Sequence, residues 1–500
     1  MSSEGSPEDF QSWLERTAHI TAADTPNRAY HLSGAGVAAG SSRQLWAYAP
    51  SNGLGAILPM FCQLMNAEAR LTAANPAQTI RFLDDPPATP IHHLYRDDDL
   101  AASLSAQFQR AFGVELVVHH SAGGEIPLMV GVRPEPAQGQ DRLSKGYVEA
   151  LERLDRLQQQ GDGMRSFAGV LLSTAVGRES VMLVDEPEAF LHPPQARLIG
   201  QMLVTEKKTG RQLFVATHSG DVLRGVLDAG SPSTKIIRLT RNENQNVASI
   251  LNPTEIAQLW NDPLLRYSNI LDGLFHERVI VCESDADCRF YAAVADAHDA
   301  KGSKRPDQMF VHGGGKSRIH TIVGALARVA VPVRVICDFD VLREEEVLRR
   351  IVESMGGDFA EMQGDWQLVS RAIASQVPTT PADAVSEEIR DILAPLGSNA
   401  VTAHALDDIK RVLRRLPPWA RAKELGVESI PDGEPRNACS RLLRCLASIR
   451  VFVVPNGELE GFARSIPTHG PSWVNAALKR DLRTDPELAE ARRFVGDVIA

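Results

Sequence analysis

Short runs of β-branched and other apolar residues alternate along this chain with longer stretches in which apolar and polar residues follow a helical spacing. Residues 181–184, 212–216, 279–282 and 331–336 form such runs, and their continuous hydrophobicity is typical of strands buried on both faces of a parallel sheet. The stretches between them have the length and periodicity of helices. The pattern therefore predicts an α/β fold built from two successive units.

Near the beginning of the chain, the pattern predicts a strand, a turn and a helix in immediate succession. After a polar lead-in at residues 1–25, residues 45–49 are predicted to form the strand, 50–55 a glycine-containing turn and 57–71 an apolar helix. This is the order of elements that a phosphate-binding loop requires.

The change in pattern near residue 276 divides the chain into two predicted domains. The first covers residues 26–275 and contains a mixed insertion of strands and short helices at about 73–140. The second covers residues 276–500, and its sheet is interrupted at about 345–450 by a charged, strongly helical insertion before strand character returns.

Composition places few further limits on the molecule. The 500 residues are 43% hydrophobic, which is enough to bury several cores. A formal net charge of −10 argues against general attraction to nucleic acid, although it excludes neither DNA nor RNA, because a basic patch can be confined to one face. The six cysteines lack zinc-ligand spacing, and no apolar run approaches the ~18 residues of a membrane span. We therefore expect a cytoplasmic protein with no zinc ribbon, disulfide framework or membrane partner.

The run at residues 181–184 leads directly into Asp185 and Glu186, and Pro187 then ends the strand. An aspartate at a strand tip can hold Mg²⁺ through water, and the adjacent glutamate can orient or deprotonate the attacking water. The segment resembles the Walker B strand of ABC-type ATPases. A strand that ends in a solvated acidic turn is the structural alternative.

Two further segments resemble parts of the same ATPases. His218 stands in a Thr-His-Ser triplet about 30 residues after the acidic pair, where ABC-type ATPases carry the histidine that senses the terminal phosphate. Residues 161–167, which include Gly163, precede a helix at the place of the ABC signature. Backbone N–H groups at that helix start could bind a nucleotide held by a second protomer. This resemblance implies a homodimer or a higher homo-oligomer.

The phosphate loop departs from the family pattern, because the chain contains no G-x-x-x-x-G-K-[ST] string. The best remnant lies at residues 50–57 and has glycine-loop residues at Asn52, Gly53 and Gly55. Ala56 and Ile57 replace the lysine and the hydroxyl residue, so efficient ATP hydrolysis is not expected. Three interpretations remain open: a degenerate site that binds ATP weakly or not at all, a site completed by a partner, and a loop that lies elsewhere.

Acidic residues follow three apolar strands of the second predicted domain. They are Glu283, Asp285 and Asp287 after the first strand, Asp338 and Asp340 after the second, and Glu458 and Glu460 after the third. Because ligands collect at the carboxyl ends of parallel strands, we expect these carboxylates to share one site. Hard oxygen ligands favour Mg²⁺ or Mn²⁺, and two such ions can activate water and stabilise the leaving oxygen in nucleases.

These acidic clusters resemble the TOPRIM domain, and the chain from about residue 45 resembles the OLD (overcoming lysogenization defect) family, which joins an ABC-type ATPase to a TOPRIM nuclease. The resemblance implies that Glu283 and Asp287 bind one metal ion, that Asp338 and Asp340 bind or bridge the ions, and that Glu458 or Glu460 completes the second site. It also implies a lysine near the scissile phosphate, for which Lys479 and Lys316 are the candidates. Lys316 follows three glycines at residues 313–315 that could form a tight turn alone.

The resulting hypothesis is a metal-dependent DNA endonuclease with an ATPase-like half that dimerises and regulates. The family resemblance implies a role in phage defence. Ten lysines and arginines against six acids at residues 401–450 suggest either a DNA contact that includes Arg411, Arg414 and Arg415, or a solvated helical surface. The alternative function is a non-catalytic scaffold that controls a partner protein. A topoisomerase or primase is disfavoured, because neither a DNA-gate domain with a nucleophilic tyrosine nor a polymerising core with a zinc module is found.

Overall fold

The computed structural model describes residues 6–21, 28–32, 35–85, 87–177, 179–242, 244–251, 254, 260–261, 269–298, 307–376, 381–397, 400–414 and 417–500. The chain separates into two compact units, Met1–Pro232 and Ser233–Ala500. This division lies earlier than the predicted boundary at residue 276. Arg238 explains the difference, because its guanidinium donates to the carbonyl oxygens of Leu274, His276 and Ala330 and thereby ties the preceding hairpin to the second unit.

The first unit begins with a small subdomain that has its own core. Its elements are α1 (Pro7–Thr17), β1 (His19–Thr21), β2 (Ala29–Leu32), β3 (Ala35–Ala38) and α2 (Ala39–Asn52). The three strands form an antiparallel sheet. Phe10 and Leu14 of α1 are fully buried against this sheet, so the predicted polar lead-in contains a docked helix.

The predicted strand at residues 45–49 is wrong, because these residues lie inside α2. Their alternation of large and small residues fits a helix as well as a strand, and packing decides between the two: Trp46 stacks on Phe10 with ring centroids 4.7 Å apart, whereas Tyr48 is exposed. The predicted helix at 57–71 is wrong for residues 57–66, and only residues 67–71 lie in an α-helix. A 3₁₀ turn (Gly55–Met60), β4 (Cys62–Met65) and α3 (Ala67–Ala73) occupy that stretch.

The main sheet of the first unit is parallel and three-stranded, in the order β11-β10-β4. It contains β10 (Val181–Asp185) in the centre and β11 (Gln212–Ala216) at one edge. Val181 pairs with Gln212 on one side and with Cys62 on the other.

Helices α7 (Asp162–Val176), α8 (Pro193–Thr205) and α9 (Gly220–Asp228) accompany the main sheet, and one face of the sheet packs into the unit's large core. The stretch predicted as a mixed insertion contains β5 (Ala77–Gln78), α4 (Pro90–Arg96), α5 (Asp98–Phe112), β6 (Glu115–Val118), β7 (Glu125–Ile126) and β8 (Leu128–Gly131). Between it and α7 lie α6 (Lys145–Leu151) and β9 (Asp155–Arg156).

The second unit contains a hairpin and a four-stranded parallel sheet. The hairpin is β12 (Ile236–Asn242) with β13 (Gln245–Leu251). The parallel sheet has the order β15-β14-β16-β17 and consists of β14 (Arg278–Cys282), β15 (Gln308–His312), β16 (Val333–Cys337) and β17 (Val451–Val453). Four of the five residues of β14 are buried, as its continuous hydrophobicity predicts.

Helices on this sheet bury most of its apolar side chains. They are α10 (Asp285–His298), α11 (Ile319–Arg328), and, after β17, α18 (Gly470–Ala477) and α19 (Ala489–Ile499). The predicted helical insertion between β16 and β17 is confirmed and consists of α12 (Glu345–Ser354), α13 (Gln363–Ala374), α14 (Ala382–Leu393), α15 (Ala403–Arg414), α16 (Pro418–Leu425) and α17 (Glu434–Ser448). None of the helices in the described ranges is long and apolar enough to cross a membrane.

Candidate functional site

The carboxyl ends of β14, β16 and β17 bring acidic residues together at one edge of the parallel sheet. Because the strands are neighbours and run in the same direction, the residues that follow them meet. Carboxylate oxygens of Glu283, Asp338 and Asp340 all lie within 4.8 Å of one another. These three residues come from two loops that are distant in sequence, and this proximity is what the strand-tip pattern predicts.

Backbone hydrogen bonds hold these loops in register. The N–H of Asp338 donates to Oε1 of Glu283 at 3.1 Å, and the N–H of Gly315 donates to the carbonyl oxygen of Glu283 at 2.9 Å. The N–H of Phe339 donates to the carbonyl oxygen of Gly457 at 2.7 Å, which connects the second loop to the third. The carboxylates are therefore fixed by main-chain contacts between loops.

A second group at the same sheet edge contains Glu458, Glu460 and His469, whose potential ligand atoms also lie within 4.8 Å of one another. The N–H of Gly470 donates to Oε1 of Glu460 at 2.6 Å. The imidazole Nδ1 of His469 is 3.9 Å from the same carboxylate, and its side chain is exposed. No sequence signal marks His469, because it stands in a loop after the third cluster and belongs to no motif.

The remaining two acids of the first cluster point to different places. Asp287 is half-buried in the first turn of α10, and its Oδ2 accepts the N–H of Ser284 at 2.8 Å. Asp285 is exposed and pairs with Arg289 at 3.0 Å on the same helix. The structure thus places Asp287 in the environment of the acidic edge and turns Asp285 towards a local partner.

Burial and mutual repulsion oppose ionisation of the acidic edge. Burial, and after it the charge of Asp340, raises the pKa of Glu283 to about 7. The pKa of Asp338 is raised well above its usual range by burial and then by Glu283. Burial is also the main reason why the pKa values of Asp287 and Glu458 are raised. A bound cation would relieve this strain, since an adjacent positive charge favours the ionised form.

Two lysines face these acids. The Nζ of Lys316 lies 3.1 Å from Oδ2 of Asp340 and 3.0 Å from Oε1 of Glu344. The Nζ of Lys423, on α16 of the helical insertion, lies 3.7 Å from Oδ2 of Asp338 and 3.4 Å from Oε2 of Glu458. In the sequence, Lys423 is one of the ten lysines and arginines at residues 401–450 and belongs to no motif.

Among the described residues, neither the second lysine candidate, Lys479, nor the arginines of the basic stretch at residues 401–450 form a salt bridge with the acidic edge. Lys479 is exposed just beyond the end of α18. The side chains of Arg411, Arg414 and Arg415 lie outside the described part of the chain. Within that part, Arg441 is paired with Asp365 at 2.6 Å.

The residues at this edge fit a divalent cation of the magnesium type. The donors are carboxylate oxygens, which Mg²⁺ and Mn²⁺ prefer. Oδ1 of Asp340 is buried and has no hydrogen-bond donor among the described residues. A buried carboxylate oxygen without a donor is costly unless a ligand satisfies it, so Glu283, Asp338 and Asp340 are suited to hold an ion.

In the first unit, the tips of β10 and β11 bring together the predicted Walker B and switch residues. The exposed imidazole of His218 has its Nδ1 3.3 Å from Oε1 of Glu186 and 3.5 Å from Oε1 of Glu188. Glu188 also accepts the hydroxyl of Thr217 at 2.8 Å. Glu186 has a φ of 46°, a left-handed conformation that turns the chain sharply after Asp185.

Arg70 also belongs to this site, although no sequence motif marks it. It is fully buried on α3, and its guanidinium donates to the carbonyl oxygens of Asp185 and Met65 and to Oγ of Ser166 at 3.0 Å. Burial lowers its pKa, while the charges of Asp185, Glu188 and Glu186 act in the opposite direction. Arg70 therefore stabilises the carboxyl end of β10 by a hydrogen bond to its main chain.

Gly163 lies in the first turn of α7, as predicted, but the structure also gives it a packing role. A Cβ atom at this position would lie 2.7 Å from the carbonyl oxygen of Phe190, in the loop that follows β10. The start of α7 and this loop therefore require a glycine where they meet.

The predicted phosphate loop has a different setting from the one expected. Asn52 is the last residue of α2 and donates to the carbonyl oxygen of Tyr48, and Gly53 caps the helix with a φ of 73°. Asn52, Gly53 and Gly55 thus follow the carboxyl end of a helix, where the helix dipole is negative and disfavours phosphate. The strand-to-helix turn expected for these residues is wrong.

A closer match to the phosphate-loop spacing stands at residues 35–42, immediately before and within the start of α2. Gly40 and Ser42 occupy the positions of the second glycine and the hydroxyl residue, whereas Ala35 and Ser41 replace the first glycine and the lysine. Ser42 is buried and donates to the carbonyl oxygen of Ala39 at 2.8 Å. The lysine is absent in this register too.

Comparison with known proteins gives matches to both ATPases and nucleases. A family model described as "AAA domain, putative AbiEii toxin, Type IV TA system" matches residues 138–224. The Old nuclease of Escherichia phage P2 is 23% identical over 172 residues, which are 33% of this chain and 28% of that protein. An uncharacterized protein of Methanocaldococcus jannaschii is 30% identical over 98 residues, which are 19% of this chain and 86% of that protein.

Two solved structures overlap part of the chain. A structure from work titled "Structural biochemistry of ATP-driven dimerization and DNA stimulated activation of SMC ATPases" has a TM-score of 0.23 and 13% identity, covering 34% of this chain and 92% of its own. The SmcHead bound to the C-terminal winged-helix domain of ScpA has a TM-score of 0.29 and 11% identity, covering 46% of this chain and 66% of its own. The chain thus matches less than a third of the P2 Old nuclease.

Proposed function

Because this chain belongs to the OLD family of ATPase-like proteins, we propose that its second unit is a nuclease centre that hydrolyses DNA with a divalent ion, Mg²⁺ or Mn²⁺. The observation that carries this proposal is the convergence of Glu283, Asp338 and Asp340 at one sheet edge. Bringing these half-buried carboxylates together costs free energy, and a cation bound there would offset that cost.

The chain's own residues would prepare this centre in three ways. Glu283, Asp338 and Asp340 would hold the ion, with Asp287 and the pair Glu458 and Glu460 at the rim. The N–H of Asp338 orients the carboxylate of Glu283. When bound, the ion would activate water and stabilise negative charge on the phosphate.

Two lysines would have different roles at this centre, one towards a metal ligand and one towards the substrate. Lys316 holds Asp340 through its ammonium group and fixes the orientation of that carboxylate. The glycines before Lys316 allow this approach, since Gly314 and Gly315 have φ values of 74° and 127°. Lys479 is the exposed residue that remains available for a phosphate contact in this proposal.

For the first unit we propose a dimerising and regulatory role with weak or no ATP binding. Asp185, Glu186 and His218 lie together as in an ATPase with a Mg²⁺ site, which supports an origin in nucleotide binding. The chain lacks the lysine that would neutralise the β and γ phosphates. In a dimer, the start of α7 around Gly163 would face a nucleotide held by the second protomer. The proposal also includes a role in phage defence together with a partner protein.

Plasmid nicking tests the nuclease proposal. Purified protein with Mg²⁺ or Mn²⁺ is expected to convert supercoiled plasmid to nicked circles, and Asp338→Asn is expected to lower the rate at least ~100-fold, because it removes a charged ligand of the ion. Asp391→Asn, which changes an exposed aspartate on α14 of the same unit, is the matched control and should leave the rate unchanged. Equal nicking by wild type and Asp338→Asn would point to a contaminant and favour the scaffold.

A further inference from the structure

The helical insertion contributes a cation to the acidic edge. Lys423 lies on α16, and its ammonium nitrogen is 3.7 Å from Asp338 and 3.4 Å from Glu458. These two carboxylates belong to different acidic groups, so the ammonium stands between the group with Glu283 and the group with Glu460. No other lysine or arginine in the described residues makes a salt bridge to either Asp338 or Glu458.

The position of Lys423 is set by main chain packed against main chain. A Cβ atom on Gly457 would lie 2.1 Å from the carbonyl oxygen of Lys423, and one on Gly426 would lie 2.0 Å from the carbonyl oxygen of Pro455. The N–H of Val427 donates to that same oxygen of Pro455 at 2.9 Å. The end of α16 is therefore docked directly on the loop that carries Glu458, and only glycine allows this distance.

The carboxylates at the rim already have donors from the protein. Glu458 is ion-paired with Lys423 at 3.4 Å, and Glu460 accepts the N–H of Gly470 at 2.6 Å. The group on the other side is less satisfied, because Oδ1 of Asp340 is buried without a donor in the described part of the chain. The two groups therefore differ in their need for an added cation.

We propose that the Lys423 ammonium is a resident cation that occupies the place of a second divalent ion, so that this edge takes one Mg²⁺ or Mn²⁺ at Glu283, Asp338 and Asp340. The inference rests on the proposed metal site and replaces the expected pair of ions by one ion and one ammonium. The Lys423 ammonium, 3.4 Å from Glu458, compensates the charge of that carboxylate and repels a divalent ion placed between Glu458 and Glu460. The group of Glu283, Asp338 and Asp340 still needs an ion, because Oδ1 of Asp340 is buried without a donor in the described part of the chain.

Counting bound Mn²⁺ tests this inference without relying on nuclease activity. The full chain would be titrated with MnCl₂ without nucleotide, and free Mn²⁺ followed by electron paramagnetic resonance. The number of ions held at this edge is the number bound by a protein minus the number bound by the same protein with Asp338→Asn added. Wild type is expected to hold one such ion per chain, and Lys423→Gln two, because the neutral side chain frees the second position.

Two controls accompany the count. Arg421→Gln removes the same charge from an exposed position on α16 and should leave one ion. Lys423→Arg retains the charge and should also leave one, which separates charge from packing. Two ions in wild type, or one in a folded Lys423→Gln protein, would overturn the role of Lys423 alone. No Mn²⁺ lost on Asp338→Asn would instead overturn the metal site and with it this inference.

Discussion

At the scale of single residues, Glu283 lies where burial and the neighbouring Asp340 both oppose ionisation of its carboxyl group. Its pKa rises to about 7 from an ordinary 4.5. The folded, metal-free protein therefore favours the protonated form. Because the folded chain binds this proton more tightly than the unfolded chain, Glu283 contributes to the free energy of unfolding. That contribution is fully present below pH 4.5 and is lost as the pH rises through about 7.

We expect metal-free protein to lose roughly 2 kcal/mol of stability from Glu283 between about pH 5.5 and about pH 8. Thermal unfolding in EDTA at these two pH values measures the loss, and Mn²⁺ at the higher pH should reverse it, because the ion favours the ionised carboxylate. Glu283→Gln, which cannot ionise, should show a smaller pH dependence. Glu387→Gln, at an exposed position of the same unit, should behave as wild type; a Glu283→Gln protein that does so too contradicts the assignment.

Residues of the acidic edge differ in how far the sequence could predict them. Glu283, Asp338 and Asp340 could be predicted, because each follows an apolar run that ends at the same side of a parallel sheet. Lys423 and Arg70 could not, since their partners are remote in sequence and neither residue stands in a motif. Pairs of this kind depend on how helices pack, which the hydrophobic pattern leaves open.

At the scale of elements, the contact between α16 and the loop after β17 decides where Lys423 lies. Gly426 has a φ of 57° and ψ of −130°, and Gly397 has nearly the same conformation with a φ of 56° and ψ of −121°. A Cβ atom on Gly397 would meet nothing within 4 Å, whereas one on Gly426 would collide with backbone. An alanine at Gly397 would therefore introduce backbone strain alone, whereas an alanine at Gly426 would add a steric collision.

Gly397→Ala should cost about 1–3 kcal/mol, because alanine rarely adopts this conformation. Gly426→Ala should cost about 1–3 kcal/mol more, because α16 must move away from Pro455. Urea unfolding of both variants measures the difference. Gly426→Ala should also alter Mn²⁺ binding in the direction of Lys423→Gln, and equal stability losses in the two variants would contradict the docking of α16.

Helices and strands were predicted correctly where the hydrophobic pattern was compatible with only one type of element. β14 and β16 are buried on both faces, so their continuous apolar runs predicted them correctly. The helices α12 to α17 were predicted from the charged helical pattern of that stretch. Residues 45–49 fit both a strand and a helix, and the stacking of Trp46 on Phe10 selected the helix. That contact involves a helix from the supposed lead-in, which the pattern could not place.

At the scale of the whole molecule, the α/β class was correct, while the boundary between the units was not. The hairpin of β12 and β13 reads as the end of the first domain, yet Arg238 secures it to the second unit through three carbonyl oxygens. These bonds link residues remote in sequence, and a hydrophobic pattern carries no information about such partners. Each unit nevertheless has its own acidic strand tips, so the division into an ATPase-like unit and a metal-binding unit could be proposed from sequence.

The ATPase-like unit allows a last prediction, on ATP turnover by the whole protein. Purified protein with Mg²⁺ and ATP should release phosphate no faster than its Glu186→Gln variant, because no lysine stands in either phosphate-loop register and Asn52 follows the negative end of a helix. Phosphate release measured on both proteins, with and without plasmid, checks this. Turnover in wild type that Glu186→Gln abolishes would contradict it, since the tips of β10 and β11 would then belong to a working site whose phosphate loop is supplied by other residues or by a partner.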